Sequence, residues 1–320
     1  MISYAMNTKT QINKLLSQET KEERVANRVG LAGPFNIHDP NQFKNSQRQS
    51  WNSVSEGWQR WWRTFENGAQ NISSKLVELV HTKPGDKVLD IATGIGEPAV
   101  TAAKRVGNNG RVLATDISPQ MLSIAKQRAA SLGLENIIEI REGDAETIDL
   151  SASSFNAVLC RWGLMYLPNP SGALSNIHRT LVPDGYVAAA VWGTPDKVPF
   201  LALPISIVRQ ETHAPAPAPG TPGPFGLADE TLLRNTFIQA GFKDVYVEHL
   251  NAVFEFNSAE DFTQYQQAIA APVIAMLANE TKSRQDEIWN KVTETARKKY
   301  SDENGRVKFT NDCICIAGRK

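Results

Sequence analysis

The chain has 320 residues, 41% hydrophobic and 21% charged, with 34 Lys+Arg against 34 Asp+Glu. That length buries a substantial core in one α/β domain with additions or in two small ones, and zero net charge offers no basic excess for binding the phosphates of a nucleic acid. No apolar run approaches the roughly 18 residues of a membrane span: the nearest, 186–208, is broken by Gly193, Pro195, Asp196, Lys197 and Pro199.

The N-terminal 50 residues are polar, and MISYAMNTKTQINKLL lacks the apolar stretch of a signal peptide. A weak helix is expected near 8–28, then irregular chain. In WNSVSEGWQRWWRTFENG, Trp51, Ser55, Trp58, Trp62 and Phe65 recur at helical spacing and form an aromatic stripe. A further helix, 73–80, leads to the turn signal Pro84-Gly85.

From Lys87 the pattern alternates. VLDIA is a strand, 98–106 a helix closed by Gly107, and RVLATD a strand. Ser118-Pro119 opens a helix as N-cap and first helical residue, ending at Gly133. IIEIRE and FNAVLCRW are strands, 172–181 a helix, and YVAAAVW a strand after Asp184-Gly185. Apolar strands alternating with helices imply a parallel sheet covered on both faces. HAPAPAPGTPGPFG (213–226) is too proline-rich for helix or sheet interior and is expected to be an extended loop, either a connector or the edge of a lid. A helix over 229–240, the strand VYVEHLNAVFEF, a helical region from Ser258 to about Lys299 broken near Asn279, and the strand RVKFTNDCICIAG complete the chain.

The three cysteines, Cys160, Cys313 and Cys315, form no disulfide framework and suit a reducing compartment, so a cytoplasmic protein is expected. Cys313 and Cys315 share one strand face and are taken as core packing; no metal is expected.

Chemistry concentrates in Val88-Leu89-Asp90-Ile91-Ala92-Thr93-Gly94-Ile95-Gly96-Glu97-Pro98. Gly94 and Gly96 stand where a strand turns into a helix, so a ligand can approach the backbone closely. The spacing Gly94-x-Gly96-x-x-Ala99 also satisfies the loose dinucleotide pattern. Glu97 counts against NAD, because a carboxylate at the helix N-terminus repels the pyrophosphate that would bind there and suits an ammonium group better. Asp116, twenty residues beyond Gly96, can accept both hydroxyls of a ribose. Glu142-Gly143-Asp144-Ala145-Glu146 and Cys160-Arg161-Trp162-Gly163-Leu164-Met165 follow the third and fourth strands. All four segments lie at carboxyl ends of parallel strands, where open α/β sheets bind ligands.

These segments, in this order, resemble the class I S-adenosylmethionine methyltransferases, and most closely the branch containing the ubiquinone/menaquinone-biosynthesis C-methyltransferases. The likeness runs over about 51–320 and most firmly over 85–193. It implies a Rossmann-like doubly wound α/β sheet of seven strands, the last antiparallel, with an N-terminal helical cap and helical insertions. The expected organisation is a cap over 1–70, a cofactor-binding core over 71–193, and a lid insertion, helices and closing strands of the same domain over 194–320. The resemblance implies S-adenosylmethionine as cofactor, leaving as S-adenosylhomocysteine. Asp90, Thr93 and Gly94 would line the methionine portion, Asp116 would hold the ribose, Ile117, Asp144 and Ala145 would contact the adenine, the Cys160 backbone would face the ammonium, and Ala92, Gly96 and Gly143 complete the cofactor-binding set. Ala92 replaces the usual first glycine, and Asn156 stands where Asp is common.

Methyl transfer needs an aligned nucleophile more than a fixed catalytic group, so the sequence names no certain base. Candidates to orient or deprotonate the acceptor are Arg161, Tyr166, His249 and His38; His213 is a weaker one, and His81 and His178 are taken as structural. Trp58, Trp62, Trp162 and Phe225 are candidates for the acceptor site. A small hydrophobic acceptor is expected, of aromatic, quinone-like, polyketide or indole type, methylated at C, N or O. The alternatives are a cyclisation on the same scaffold with the cofactor retained, an NAD-linked oxidoreductase, and a non-catalytic binding protein. A monomer or homodimer is expected.

Overall fold

The computed structural model describes residues 39–218 and 220–320; the helix expected near 8–28 and the candidate His38 lie outside them. The first helices are α1 (Pro40–Ser53) and α2 (Ser55–Leu79), separated at Val54. Asp39 accepts the amides of Asn41 and Gln42 and Pro40 takes the first turn, which fixes where α1 starts. The α/β alternation follows: β1 (Lys87–Ile91), α3 (Ala99–Val106), β2 (Arg111–Asp116), α4 (Pro119–Ser131), β3 (Ile138–Glu142), β4 (Phe155–Arg161), a short 3₁₀ turn at Leu164–Tyr166, α5 (Pro170–Thr180) and β5 (Leu181–Trp192). The remainder is α6 (Pro199–Thr212), α7 (Glu230–Gln239), β6 (Lys243–Phe256), α8 (Ala259–Ile269), α9 (Ala271–Leu277), α10 (Lys282–Tyr300) and β7 (Val307–Arg319).

The seven strands form one sheet in the order β3-β2-β1-β4-β5-β7-β6. β7 runs antiparallel to both β5 and β6, so the expected closing pair is present with β7 inserted between them. Every residue from Val187 to Val191 of β5 is fully buried, as continuously apolar strands must be when helices cover both faces. The chain reverses direction of growth between β1 and β4, and a crevice at that switch point is the site the topology provides.

Three local features differ from the sequence expectation. The helix expected at 51–65 is divided at Val54 between α1, which also occupies 40–50 where irregular chain is expected, and α2, which runs on through residues 70 and 71 into the helix expected at 73–80 and packs cap and core as one element. The helical region after Ser258 breaks at Ala270 as well as near Asn279. Residues 199–212 form a helix that Pro199 and Pro204 obscured. Pro199 suits a first turn, but Pro204 removes the N–H that would have bonded to the carbonyl of Phe200. That carbonyl instead accepts Gln266 Nε2 at 3.0 Å, so tertiary packing replaces the lost helical bond. Among the described residues no helix is long and apolar enough to cross a membrane.

Candidate active site

The crevice at the switch point opens into a cavity of about 1580 Å³, its mouth included. Its wall begins at the loop after β1. Gly94 has φ +55°, and a Cβ built there would meet nothing within 4 Å, so its backbone faces open space. Asp116 at the end of β2 accepts the Gly94 amide through Oδ2 and the Ser118 amide through Oδ1, each at 2.9 Å. Burial raises its pKa above the ordinary carboxylate value. Each oxygen has a second lone pair, so the carboxylate can hold the loop and still accept two ligand hydroxyls. A ribose diol fits this donor–acceptor arrangement.

Ala92 has φ +55°, in the left-handed region where a Cβ is strained and glycine is favoured. Gly163 packs directly against it, since a Cβ on Gly163 would lie 2.5 Å from the Ala92 Cβ. The Ala92→Gly variant is expected to gain about 0.5–1 kcal/mol in urea unfolding, from relief of strain less the added freedom of the unfolded chain. A loss of stability would show that the Ala92 methyl packs more than it strains.

Ala92, Thr93, Gly94, Asp116, Ile117, Gly143, Asp144 and Ala145 all stand on the cavity wall. The other cofactor candidates stand behind it. Asp90 is fully buried, and its Oδ2 accepts the first amide of α3, Ala99 N–H, at 2.9 Å. Burial raises its pKa to about 7. Through the bond to Ala99 it anchors the loop to the helix, while its Oδ1 has no hydrogen-bond partner among the described residues. Gly96 lies against Ala125, not on the wall. Cys160 is wholly buried, and burial pushes its thiol up to about 12. Asn156 accepts the Lys87 amide at 2.9 Å where β1 begins, remote from the carboxyl ends.

The cap closes one side. α1 has no buried residue. It is held instead by polar contacts to the loops it covers: Lys44 Nζ to Asp144 (2.8 Å) and Glu146 (2.6 Å), Arg48 to Glu142, and Ser118 Oγ to Asn52 Oδ1 (2.6 Å). Phe43, Lys44, Gln47 and Trp51 thereby join the wall. Nothing in the sequence pointed to Lys44, because its partners are a hundred residues away.

The deeper chamber is aromatic, with Trp58, Phe65, Trp162, Trp192 and Phe200 on its wall. Trp162 has φ +56° at the end of β4 and stacks on Trp192 with centroids 4.2 Å apart. Strained backbone of this kind persists where surrounding packing enforces it, and such positions cluster at functional sites. Two substrate candidates are not on this wall. Trp62 lies beneath the Arg128 guanidinium, 4.5 Å from its ring centroid. Phe225 packs on the core, and its neighbour Pro224 takes the wall position.

Arg161 reaches the wall but its guanidinium is committed. It holds Glu66 on α2 in two parallel bonds, Nη1–Oε2 at 2.8 Å and Nη2–Oε1 at 2.6 Å, and donates to Ser73 Oγ at 2.8 Å. Glu66 and Ser73 sit on the buried stripe of α2. Polar residues on an apolar stripe signal a buried partner, and that pattern could have revealed the pair. Glu97 is also buried on the wall, with its pKa raised by burial and then by Glu66. Tyr166 stands on the wall with its ring edge-on to Trp51 at 5.3 Å. Burial pushes its phenol well above the ordinary range, so it stays protonated and can orient a ligand but not deprotonate one.

His249 is elsewhere, on β6. It is bracketed by Asp312 (2.8 Å) and Glu230 (3.1 Å), and the hydrogen bond to Asp312, then that to Glu230, raise its pKa. This bracket makes its contribution to stability pH-dependent. A histidine with a raised folded-state pKa stabilises fully below its unfolded value of about 6.5 and loses that contribution as pH rises through the folded value. The stability advantage of wild type over His249→Gln in urea unfolding should therefore be larger at pH 5.5 than at pH 8.5. Equal differences at both would show that the bracket contributes nothing.

Residues 88–185 match the protein family described as “Methyltransferase domain”. A demethylmenaquinone methyltransferase of Lactobacillus johnsonii is 32% identical over 136 residues, 42% of this chain and 52% of that protein. The ubiquinone/menaquinone biosynthesis C-methyltransferase UbiE of Legionella pneumophila is 27% identical over 162 residues, 50% of this chain and 65% of that protein. The chain thus spans about half to two-thirds of the length of these curated relatives. In fold, it resembles phosphoethanolamine N-methyltransferase 2 of Haemonchus contortus at TM-score 0.55 and 17% identity, over 87% of this chain and 60% of that one. Residues 88–185 thus match a methyltransferase domain, and the chain is similar over that core to the ubiquinone/menaquinone-biosynthesis C-methyltransferases.

Proposed function

We propose that this chain, its core matching the methyltransferase domain family, binds S-adenosylmethionine at the loop after β1 and methylates a small, largely apolar acceptor. The observation that carries this reading is the Asp116 carboxylate tied to the open Gly94 backbone at the mouth of an aromatic chamber. Asp116 would accept the ribose hydroxyls, Ile117 and Ala145 would flank the adenine beside the Lys44–Asp144 pair, and Ala92 to Gly94 would follow the methionine chain. The bound cofactor supplies an already activated methyl group. The protein holds an acceptor in line with it, between Trp58, Trp162, Trp192 and Phe200, and excludes water from the chamber. The nearby indole faces suit a sulfonium cation. The acceptor favoured is flat and aromatic, quinone-like or indole-like, in keeping with the wall and with the activities named for the curated relatives.

The test is thermal unfolding with S-adenosylhomocysteine and, separately, NADH, followed by incubation of methyl-labelled S-adenosylmethionine with candidate arenes. A ligand at about 100 times its Kd stabilises by roughly 2.7 kcal/mol. Stabilisation by S-adenosylhomocysteine alone, with label in a product heavier by one CH₂, is expected. Stabilisation by NADH instead would overturn the reading, and an acceptor rearranged without a change in mass would replace transfer by cyclisation.

A further inference from the structure

The chamber wall contains few polar groups free to meet a ligand. Arg161 and Glu66 neutralise each other and Asp144 is held by Lys44. Gln266 on α8 is different. It is 1% exposed and on the cavity wall, and its Nε2 donates to the Phe200 carbonyl. A carbonyl only accepts, so this bond fixes which end of the carboxamide is nitrogen. Oε1 is then the uncommitted end. Among the described residues Oε1 meets no hydrogen-bond donor, and Gln266 lines the cavity, so Oε1 is the acceptor end left for a ligand there.

Its direction is held from behind. Phe200 O is available because Pro204, four residues on, has no N–H to give it. The Phe200 amide is in turn held by Asn311 Oδ1 at 3.0 Å, and Asn311 Nδ2 is anchored to the carbonyls of Ala252 and Phe309 in β6 and β7. The sheet thus fixes a single acceptor atom in an aromatic chamber.

From this geometry we propose that Gln266 is a specificity-determining residue that selects acceptors bearing a ring hydroxyl or N–H: phenols, quinols or indoles, not the corresponding quinones or plain arenes. The inference rests on the methyltransferase reading for its chamber being the acceptor site. An O–H or N–H pairs with Oε1, while a ligand lacking one buries that oxygen unpaired, and sites built this way discriminate strongly.

The test compares 1-naphthol with 1-methylnaphthalene, which are close in size and differ in the donor, by equilibrium dialysis against wild type and Gln266→Met, with and without S-adenosylhomocysteine. Wild type is expected to prefer 1-naphthol about tenfold or more, and the variant to lose that preference while holding 1-methylnaphthalene unchanged. No preference in wild type, which needs no folded variant to read, or a preference that survives in Gln266→Met, overturns the proposal. A purely structural Gln266 would weaken both probes alike, and this too overturns it. Stabilisation by S-adenosylhomocysteine in the same samples reports on the cofactor separately: it survives failure of the Gln266 proposal, and its absence beside a Gln266-dependent preference would sink the methyltransferase reading alone.

Discussion

Replacing Arg161 with Met is expected to destabilise the fold by about 3–5 kcal/mol, as removing one partner of a buried pair does. The side chains of Arg161 and Glu66 are 6% and 7% exposed, and their two parallel bonds are the geometry that makes such a pair tolerable in a low-dielectric site. Burial works against the charge on Arg161, and Glu66, with Glu97 and Asp90, together more than offset it, so the guanidinium pKa lies above its ordinary value. Without Arg161, the Glu66 carboxylate would be left facing Glu97, already raised by burial and by Glu66 itself. The double variant Glu66→Leu/Arg161→Met should recover most of the loss, because removing both charges leaves an apolar site of similar volume. Urea unfolding of the two single variants and the double gives the coupling energy directly. A single Arg161→Met variant within about 1 kcal/mol of wild type would show that water reaches the pair and that the chamber floor is not dry.

The second large effect is on ligand affinity. Asp116→Asn should weaken S-adenosylhomocysteine binding by about 2 kcal/mol, roughly thirtyfold, because a charged acceptor for two hydroxyls becomes a neutral amide with one oxygen. The same change should leave the unliganded fold nearly as stable. Burial holds the Asp116 pKa above its ordinary value, so its ionised form opposes folding above that pKa, and Asn retains an oxygen for one of the backbone amides. Calorimetric titration beside urea unfolding separates the two effects. Unchanged affinity would place the ribose elsewhere, and equal losses in affinity and stability would make Asp116 a scaffold residue only.

The part of the cavity wall at the strand ends was legible in the sequence because its signals are local. Strand periodicity, the Ser118-Pro119 start of α4 and the helix ends at Gly107 and Gly241 are set within a few residues of chain. Parallel strands then bring the loops after β1, β2, β3 and β4 to one edge whatever the details of packing, which is why Gly94, Asp116, Asp144 and Trp162 meet on one wall. The same local signals could not tell a residue on the wall from one just behind it. The Asp90 carboxylate and the Cys160 thiol are buried at the ends of their strands, and Trp62, on the aromatic stripe, lies beneath Arg128.

In the aromatic chamber the sequence pointed to Trp58 and Trp162, which stand on the wall, and tertiary structure decided the polar groups around them. Arg161 finds Glu66 across 95 positions, Lys44 finds Asp144 across 100, and Gln266 finds Phe200 across 66. No periodicity records such partners, since each is chosen by which surfaces pack and by the penalty on any buried polar group left unpaired. Pro204 shows the point most directly. By sequence it argues against a helix, yet in the folded chain the carbonyl it leaves free holds Gln266 in place.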